Sequence, residues 1–174
     1  GKVMERYREF EATSISEAYD VEAVNRGVLT SKLLQFANGS MYQESGKDVW
    51  IHDEKLDALE NIINDANGVP VLVVYTFKFD KDRIKKRFGK RVTIWGEGDT
   101  VKNQKRKWNE GKIEILAAHP ASIGHGQNIQ YGSNIMVWYG LTHDLEHYQQ
   151  INKRLHRSEQ TGDAVFIHHI IATD

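Results

Sequence analysis

A chain of 174 residues, 40% of them hydrophobic, is long enough for one domain with a true core and a small appendage. Its 23 basic and 24 acidic residues balance, so no global field draws it to nucleic acid or to a membrane surface, and any anion site must be local. The lack of cysteine excludes disulfides and thiolate metal sites and fits a cytoplasmic protein, while no apolar stretch has the length of a membrane span.

No signal-peptide pattern opens the chain, which starts at Gly1 with no initiator Met. That start is the expectation for a piece of a longer protein. The first residues, as far as Gly39, read as helices. Val3, Tyr7 and Phe10 recur at helical spacing, and Val24, Val28, Leu29, Leu33, Leu34 and Phe36 form a stronger stripe that Asn38-Gly39 stops. "SMYQESGKDVWIH" predicts a hairpin turning at Glu44-Ser45-Gly46-Lys47. From there the pattern alternates. Leu56, Leu59, Ile62 and Ile63 mark a helix ending near Asn67-Gly68, and "VPVLVVYTF" is the continuous apolar run of a strand covered on both faces. "DKDRIKKRFG" predicts a basic helix, "RVTIWG" a strand, "DTVKNQKRKWNEG" a helix and "KIEILAAH" a strand. "NIMVWYG" predicts a further strand, "HDLEHYQQINKRLHR" a helix and "AVFIHHIIAT" the last strand. Strands alternating with helices predict an α/β fold with a mainly parallel sheet and helices on both faces. The boundary falls near Gly46, giving a helical segment over 1–46 and an α/β domain over 47–174.

In such a sheet, ligands sit beyond the carboxyl ends of the strands. The informative loops are therefore Thr76-Phe77-Lys78, "HPASIGHGQNI" and Leu141-Thr142-His143. Gly124 and Gly126 let backbone N–H groups approach an anion, or they make a plain turn. No G-x-x-x-x-G-K-[ST] loop occurs, and Asp53-Glu54 opens a helix rather than following a strand. "HDLEH", His143 to His147, has the H-x-x-E-H zinc spacing but lacks a third ligand on a later helix. His168 and His169 face opposite sides of a strand and cannot share a site. Lys78, Lys81, Arg83, Lys85, Lys86, Arg87, Lys90 and Arg91 form one basic cluster, and Lys102, Lys105, Arg106 and Lys107 a second. Each is either a solvated face or a contact for a nucleic-acid backbone. Trp50, Trp95, Trp108 and Trp138 sit in apolar patterns and read as packing anchors. On the helix "YQQINKRLHRSEQTGD", Gln150, Arg154 and Arg157 fall within about 60° of one another, opposite Tyr148, Ile151 and Leu155. That row is either a wet helix face or a grip for a polyphosphate, since a guanidinium fork matches phosphate oxygens.

The order of these segments resembles the second RecA-like lobe of superfamily-two helicase-like ATPases, and most closely the Swi/Snf family and its phage-type members. "VLVVYTF" looks like motif IV, and "WGEGD" with "WNEG" like the segment between motifs IV and V. "AHPASIGHGQNI" is similar to motif V, S-x-x-A-G-G-x-G-x-N-L, with His119, Ser122 and Ile123 as departures. "QINKRLHRSEQ" is similar to motif VI, Q-x-x-D-R-x-H-R-x-G-Q, with Lys153 and Glu159 as departures. The likeness runs from about residue 50 to the end, and "LTSKLLQFANGSMY" resembles the leucine-rich segment ahead of this lobe.

The resemblance implies a RecA-like three-layer sandwich preceded by a small helical segment. It implies Arg154 and Arg157 as finger arginines on a γ-phosphate, oriented by Gln150. Gly124, Gly126, Asn128 and Gln160 would serve the nucleotide, and Tyr75, Thr76, Phe77, Lys78 and Ser122 the nucleic-acid backbone. ATP and Mg²⁺ would be held mainly by an N-terminal RecA-like lobe, the partner of this one. The implied function is the C-terminal motor lobe of an ATP-dependent translocase or helicase on DNA, with double-stranded DNA the expected partner, inactive alone and independent of membranes. The alternative is a RecA-like module that binds nucleic acid or a partner without catalysis.

Overall fold

A computed structural model describes residues 1–9, 25–123, 129, 132–140, 148–149, 151–152 and 166–171. The chain divides into two compact units, Gly1–Lys55 with Ile171–Asp174, and Leu56–Ile170.

In the first unit, helix α1 (2–9) and helix α2 (Asn25–Asn38) precede the hairpin strands β1 (Ser40–Tyr42) and β2 (Asp48–Trp50). Tyr7 meets Phe36 with ring centroids 5.6 Å apart. Gly39 takes φ 104°, which a side chain would resist, and its N–H closes the end of α2 on Gln35 O and Phe36 O. The stripe read on α2 is only partly turned inward: Phe36 is buried, but Val28 is 58% exposed. The hairpin pairs Ser40 with Trp50 and Tyr42 with Asp48, and turns through Gly46 as expected. Trp50 departs from its reading as a packing anchor, being 60% exposed on a strand exposed throughout. A two-stranded ribbon offers its residues no second layer, and the Trp50 indole N–H instead donates to Asp53 Oδ1 at 2.9 Å. Buried Lys55 donates to Asn38 Oδ1 at 2.7 Å, which explains how an ammonium is held there.

The second unit is the expected alternation. Helix α3 (Glu54–Asp65) leads into strand β3 (Val71–Val74), helix α4 (Lys78–Phe88) and, after a 3₁₀ turn, strand β4 (Val92–Ile94). Helix α5 (Val101–Asn109), strand β5 (Ile115–Ala118) and helix α6 (Pro120–Ile123) follow, then strands β6 (Ile135–Trp138) and β7 (Phe166–His169). Asn67 and Gly68 end the α3 region in left-handed conformations, φ 50° and 89°. The five strands are parallel, in the order β4-β5-β3-β6-β7.

Strand alternation divides the core into two layers. Val71, Val73, Ile115, Ala117 and Val137 pack with Leu56, Leu59, Ile63, Ile84 and Phe88 from α3 and α4. Leu72, Val74, Leu116, Ala118, Met136 and Trp138 pack with Trp108 of α5, Ile123 of α6, Ile129 and Ile151. This is a three-layer RecA-like sandwich with a parallel sheet at its centre. Every residue of β3 and β5 is buried, as the unbroken apolar runs require of strands covered on both faces. Trp95, Trp108 and Trp138 are core residues, as read from the sequence. Trp108 is fully buried and donates its indole N–H to Ile129 O at 3.0 Å, while Gly132 approaches the indole so closely that no Cβ fits.

Candidate functional site

The strand order sends the chain leaving β3 toward β4 and the chain leaving β6 toward β7. Neighbouring exits that diverge leave a crevice beyond the carboxyl ends of the strands. Pairing runs one residue past the strand ends. Tyr75 N–H donates to Ala118 O (3.1 Å), Tyr139 N–H to Val74 O (2.9 Å) and Ile170 N–H to Trp138 O (3.0 Å). The rim is therefore a fixed edge from which the loops start.

Beyond β3, the turn into α4 is set by Asp80. This carboxylate is fully buried and accepts from the backbone N–H groups of Phe77 (2.9 Å) and Thr76 (3.3 Å). An acid at this position near a helix start also suits the helix dipole. Phe77 stacks on Phe79, centroids 5.0 Å apart and planes 17° apart, and Lys78 stands exposed at the start of α4. Tyr75 is 8% exposed, the least open of the five residues assigned to a nucleic-acid backbone. Burial raises its hydroxyl above the ordinary tyrosine value, with Lys81 pulling the other way.

Beyond β5, His119 Nδ1 accepts from Ala121 N–H at 3.1 Å, so a neutral His119 carries its proton on Nε2. Pro120 fits the first helical position because it has no N–H to satisfy. Ser122 is exposed, and its hydroxyl donates to His119 O at 2.8 Å. The rings of Tyr75 and His119 meet edge-on with centroids 5.9 Å apart, joining the β3 and β5 exits. Tyr75, Thr76, Phe77, Lys78 and Ser122 thus gather on adjacent strand exits.

Beyond β6, residues 148–149 and 151–152 are helical. Ile151 is fully buried, on the face assigned inward by the sequence. Trp138 donates its indole N–H to Asn152 Oδ1 at 2.9 Å, and the Tyr148 hydroxyl lies 2.6 Å from His169 Nε2. Gln150, Arg154, Arg157, Gln160, Gly124, Gly126 and Asn128 lie outside the described residues, as does the "HDLEH" segment.

Much of the basic cluster is engaged within the protein. Lys81 and Lys85 both bond Glu97, Arg87 bonds Asp57 and Glu60, and Arg91 chelates Glu114. Lys107 bonds Asp99, and Arg106 bonds Glu110. Lys78, Lys86, Lys90, Lys102 and Lys105 have no ion-pair partner among the described residues. Any phosphate contact of these two clusters falls first to those five.

Lys81 and Lys85 hold the Glu97 carboxyl below its ordinary value, Arg91 does so for Glu114, and Lys112 with Arg106 for Glu110. Lys107, Asn103 and the Thr100 N–H bring Asp99 down to about 2. A carboxyl whose folded value is depressed contributes stability above its unfolded value of about 4 and loses it as pH falls through the folded value. The melting temperature should therefore fall gradually from about pH 5 to pH 2, with high salt muting the decline. Asp99→Asn should flatten the most acidic part of the curve; an unchanged slope there would refute the Asp99 pairing.

Two supports carry little sequence signal. Gln104 is buried and bonds Ile94 O (3.0 Å), Glu97 O (2.8 Å) and Gly96 N–H (2.8 Å), so one amide shapes the turn after β4. Its position, four residues before Trp108 on the inward stripe of α5, was the available clue. Asp80 is the other, for it resembles any acid in a charged helix.

No family model matches the chain. It is 45% identical over 160 residues to protein p41 of Acyrthosiphon pisum secondary endosymbiont phage 1, an alignment that takes in 88% of this chain and 34% of p41. The chain therefore spans about a third of the length of that curated relative. Among solved structures, it is similar to the C-terminal part of the Fun30 ATPase domain, with TM-score 0.57 and 21% identity over 69% of this chain and 41% of that one. It is also similar to the Pyrococcus furiosus Hef helicase domain, with TM-score 0.50 and 17% identity over 98% of this chain and 33% of that one. The chain shares the RecA-like α/β fold of these two domains.

Proposed function

We propose that this chain is the C-terminal motor lobe of an ATP-dependent DNA translocase of Swi/Snf type, encoded by a phage or a phage-derived element. One observation carries the reading. The parallel order β4-β5-β3-β6-β7 brings to one rim the exits of β3, β5 and β6, which start the segments resembling motifs IV and V and lead toward the one resembling motif VI. A helicase-type fold with its motifs on a common rim is the arrangement a second lobe needs to close on nucleotide held by a first. In this reading Arg154 and Arg157 meet the γ-phosphate, Gln150 orients them, and Gly124, Gly126, Asn128 and Gln160 line the nucleotide side. Tyr75, Thr76, Phe77, Lys78 and Ser122 belong to the duplex side, with Tyr75 contributing through the backbone and packing. ATP and Mg²⁺ are held by the N-terminal lobe. No helix among the described residues is long and apolar enough to cross a membrane.

The test compares the isolated chain with the longer protein that contains it. The isolated chain should not hydrolyse ATP, because arginine fingers cannot by themselves position a nucleotide. It should bind DNA weakly, since many of its cations are already paired within the protein, and what binding remains should weaken as salt is added because it runs through phosphate contacts. The longer protein should show DNA-stimulated ATPase activity. Hydrolysis by the isolated chain that an Arg154→Ala variant abolishes would overturn the division of labour. A longer protein without any ATPase activity would favour a non-catalytic binding module.

A further inference from the structure

We infer that the outer edge of β4 takes an acidic, extended segment of a partner protein, which joins the sheet as a further parallel strand. β4 ends the sheet, so only one of its edges meets β5. Along a strand, backbone groups point alternately to the two sides. Trp95 N–H donates to Ala117 O at 2.9 Å, and Ala117 lies in register with Ile94, so residues 93 and 95 serve β5. Val92 and Ile94 therefore direct their N–H and C=O groups outward. Two of those four groups are engaged: Val92 N–H donates to Gly89 O, and Ile94 O accepts from Gln104 Nε2 and from Glu97 N–H, both at 3.0 Å. Val92 O and Ile94 N–H have no partner among the described residues. Ile94 is 5% exposed, and a backbone N–H at so buried a residue is nearly always bonded.

This open pair has the form that a parallel strand completes. On the inner edge a single residue, Ala117, spans Thr93 and Trp95. On the outer edge, one residue opposite Thr93 gives its N–H to Val92 O and its C=O to Ile94 N–H. The groove there, of about 390 Å³, is lined by this strand, by Ile113, by Lys85 of α4 and by Lys107 of α5. Lys85 bonds Glu97 at 3.2 Å and Lys107 bonds Asp99 at 2.9 Å, yet both lysines stay about half exposed. An ammonium has three protons to give, so each can also meet a carboxylate of the incoming segment. Residues 78–107 hold twelve basic side chains against four acidic ones, in a chain whose formal net charge is -1. That local excess selects an acidic segment, while the main-chain bonds hold it. A second copy of this chain would bring the same positive excess to the same edge. Nucleic acid suits the charge but not the strand, because a phosphodiester backbone has no N–H for Val92 O.

The experiment measures binding of a dye-labelled peptide, acetyl-Glu-Val-Glu-Thr-Glu-Val-Glu-amide, to the full-length protein by fluorescence anisotropy. Amide hydrogen exchange over residues 92–95 is followed alongside. The peptide should bind, lose affinity as salt rises, and slow exchange in that segment. Its ester analogue keeps every carboxylate but has no backbone N–H, and it should bind about tenfold more weakly. The analogue with Lys in place of each Glu should not bind. The double variant Lys85→Gln/Lys107→Gln, checked by a thermal melt, should also bind the acidic peptide about tenfold more weakly. The comparison of peptide with ester needs no variant to fold. Equal affinity for the two would overturn the inference, since charge alone would then hold the segment. Binding that leaves exchange at residues 92–95 unchanged would overturn it too, as would a protein that binds none of these peptides. Duplex DNA that slows this exchange where the peptide does not would make the edge a nucleic-acid contact instead.

Discussion

In the full-length protein, Arg157→Ala should cut ATP hydrolysis by about three orders of magnitude, the scale of a lost arginine finger. Nucleotide affinity should change far less, because a finger arginine acts on charge that develops in the transition state. Arg157→Lys should recover little, for an ammonium cannot reproduce a bidentate fork. The fold should tolerate the change: Ile151 is buried and Tyr148 partly covered, and helical spacing in the sequence sets the Gln150/Arg154/Arg157 row opposite those two residues. Steady-state rates with saturating DNA, beside a melt of each variant, decide the matter. A variant that melts normally and hydrolyses ATP near the wild-type rate would return the row to an ordinary wet helix face.

The largest expected effects on stability centre on Trp108. Trp108→Ala removes a fully buried ring and leaves Ile129 O without its indole donor. The cavity alone is expected to cost about 3–5 kcal/mol. Gly132→Ala attacks the same place from the other side, placing a methyl group inside the van der Waals envelope of the indole. The ring cannot swing away without leaving a packed layer and breaking its hydrogen bond. Overpacking of this kind costs about 1–3 kcal/mol. The two effects should not add, and in a Trp108→Leu background Gly132→Ala should become much milder. Chemical denaturation of the four variants measures this. Equal costs of Gly132→Ala in both backgrounds would show that the indole is not what excludes a side chain at 132.

The helix–strand alternation was legible because β3 and β5 are buried on both faces and so appear as unbroken apolar runs. Asn67-Gly68 and Gly46 announced their turns because left-handed backbone needs such residues. The rim was legible too, since a parallel sheet puts its ligand loops at the carboxyl ends. What could not be read depends on contacts between distant segments. Gly132 looks like a loop glycine until Trp108, twenty-four residues earlier, is seen against it. Asp80 and Lys81 are both charged residues on one helix, yet the first is buried under the β3 exit and the second bonds Glu97 at the surface. Charge alone could not separate them. Trp50 misled in the opposite sense, because an apolar pattern on a short ribbon does not guarantee a layer to bury it.

The place of β3 in the sheet also constrains how the protein can be made. It is the first of the five strands to be synthesised, yet it lies in the middle, between β5 and β6. On a ribosome, Val71–Val74 emerge long before Ile115–Ala118, and Ile135–Trp138 come later still. Until β5 arrives this apolar run has two open edges, and until β6 arrives it still has one, which leaves it prone to sheet-to-sheet association. Pairings across such distances along the chain are slow to form. Nascent chains halted before residue 138 should therefore depend on chaperones, and the sheet can close only after the chain has passed β6.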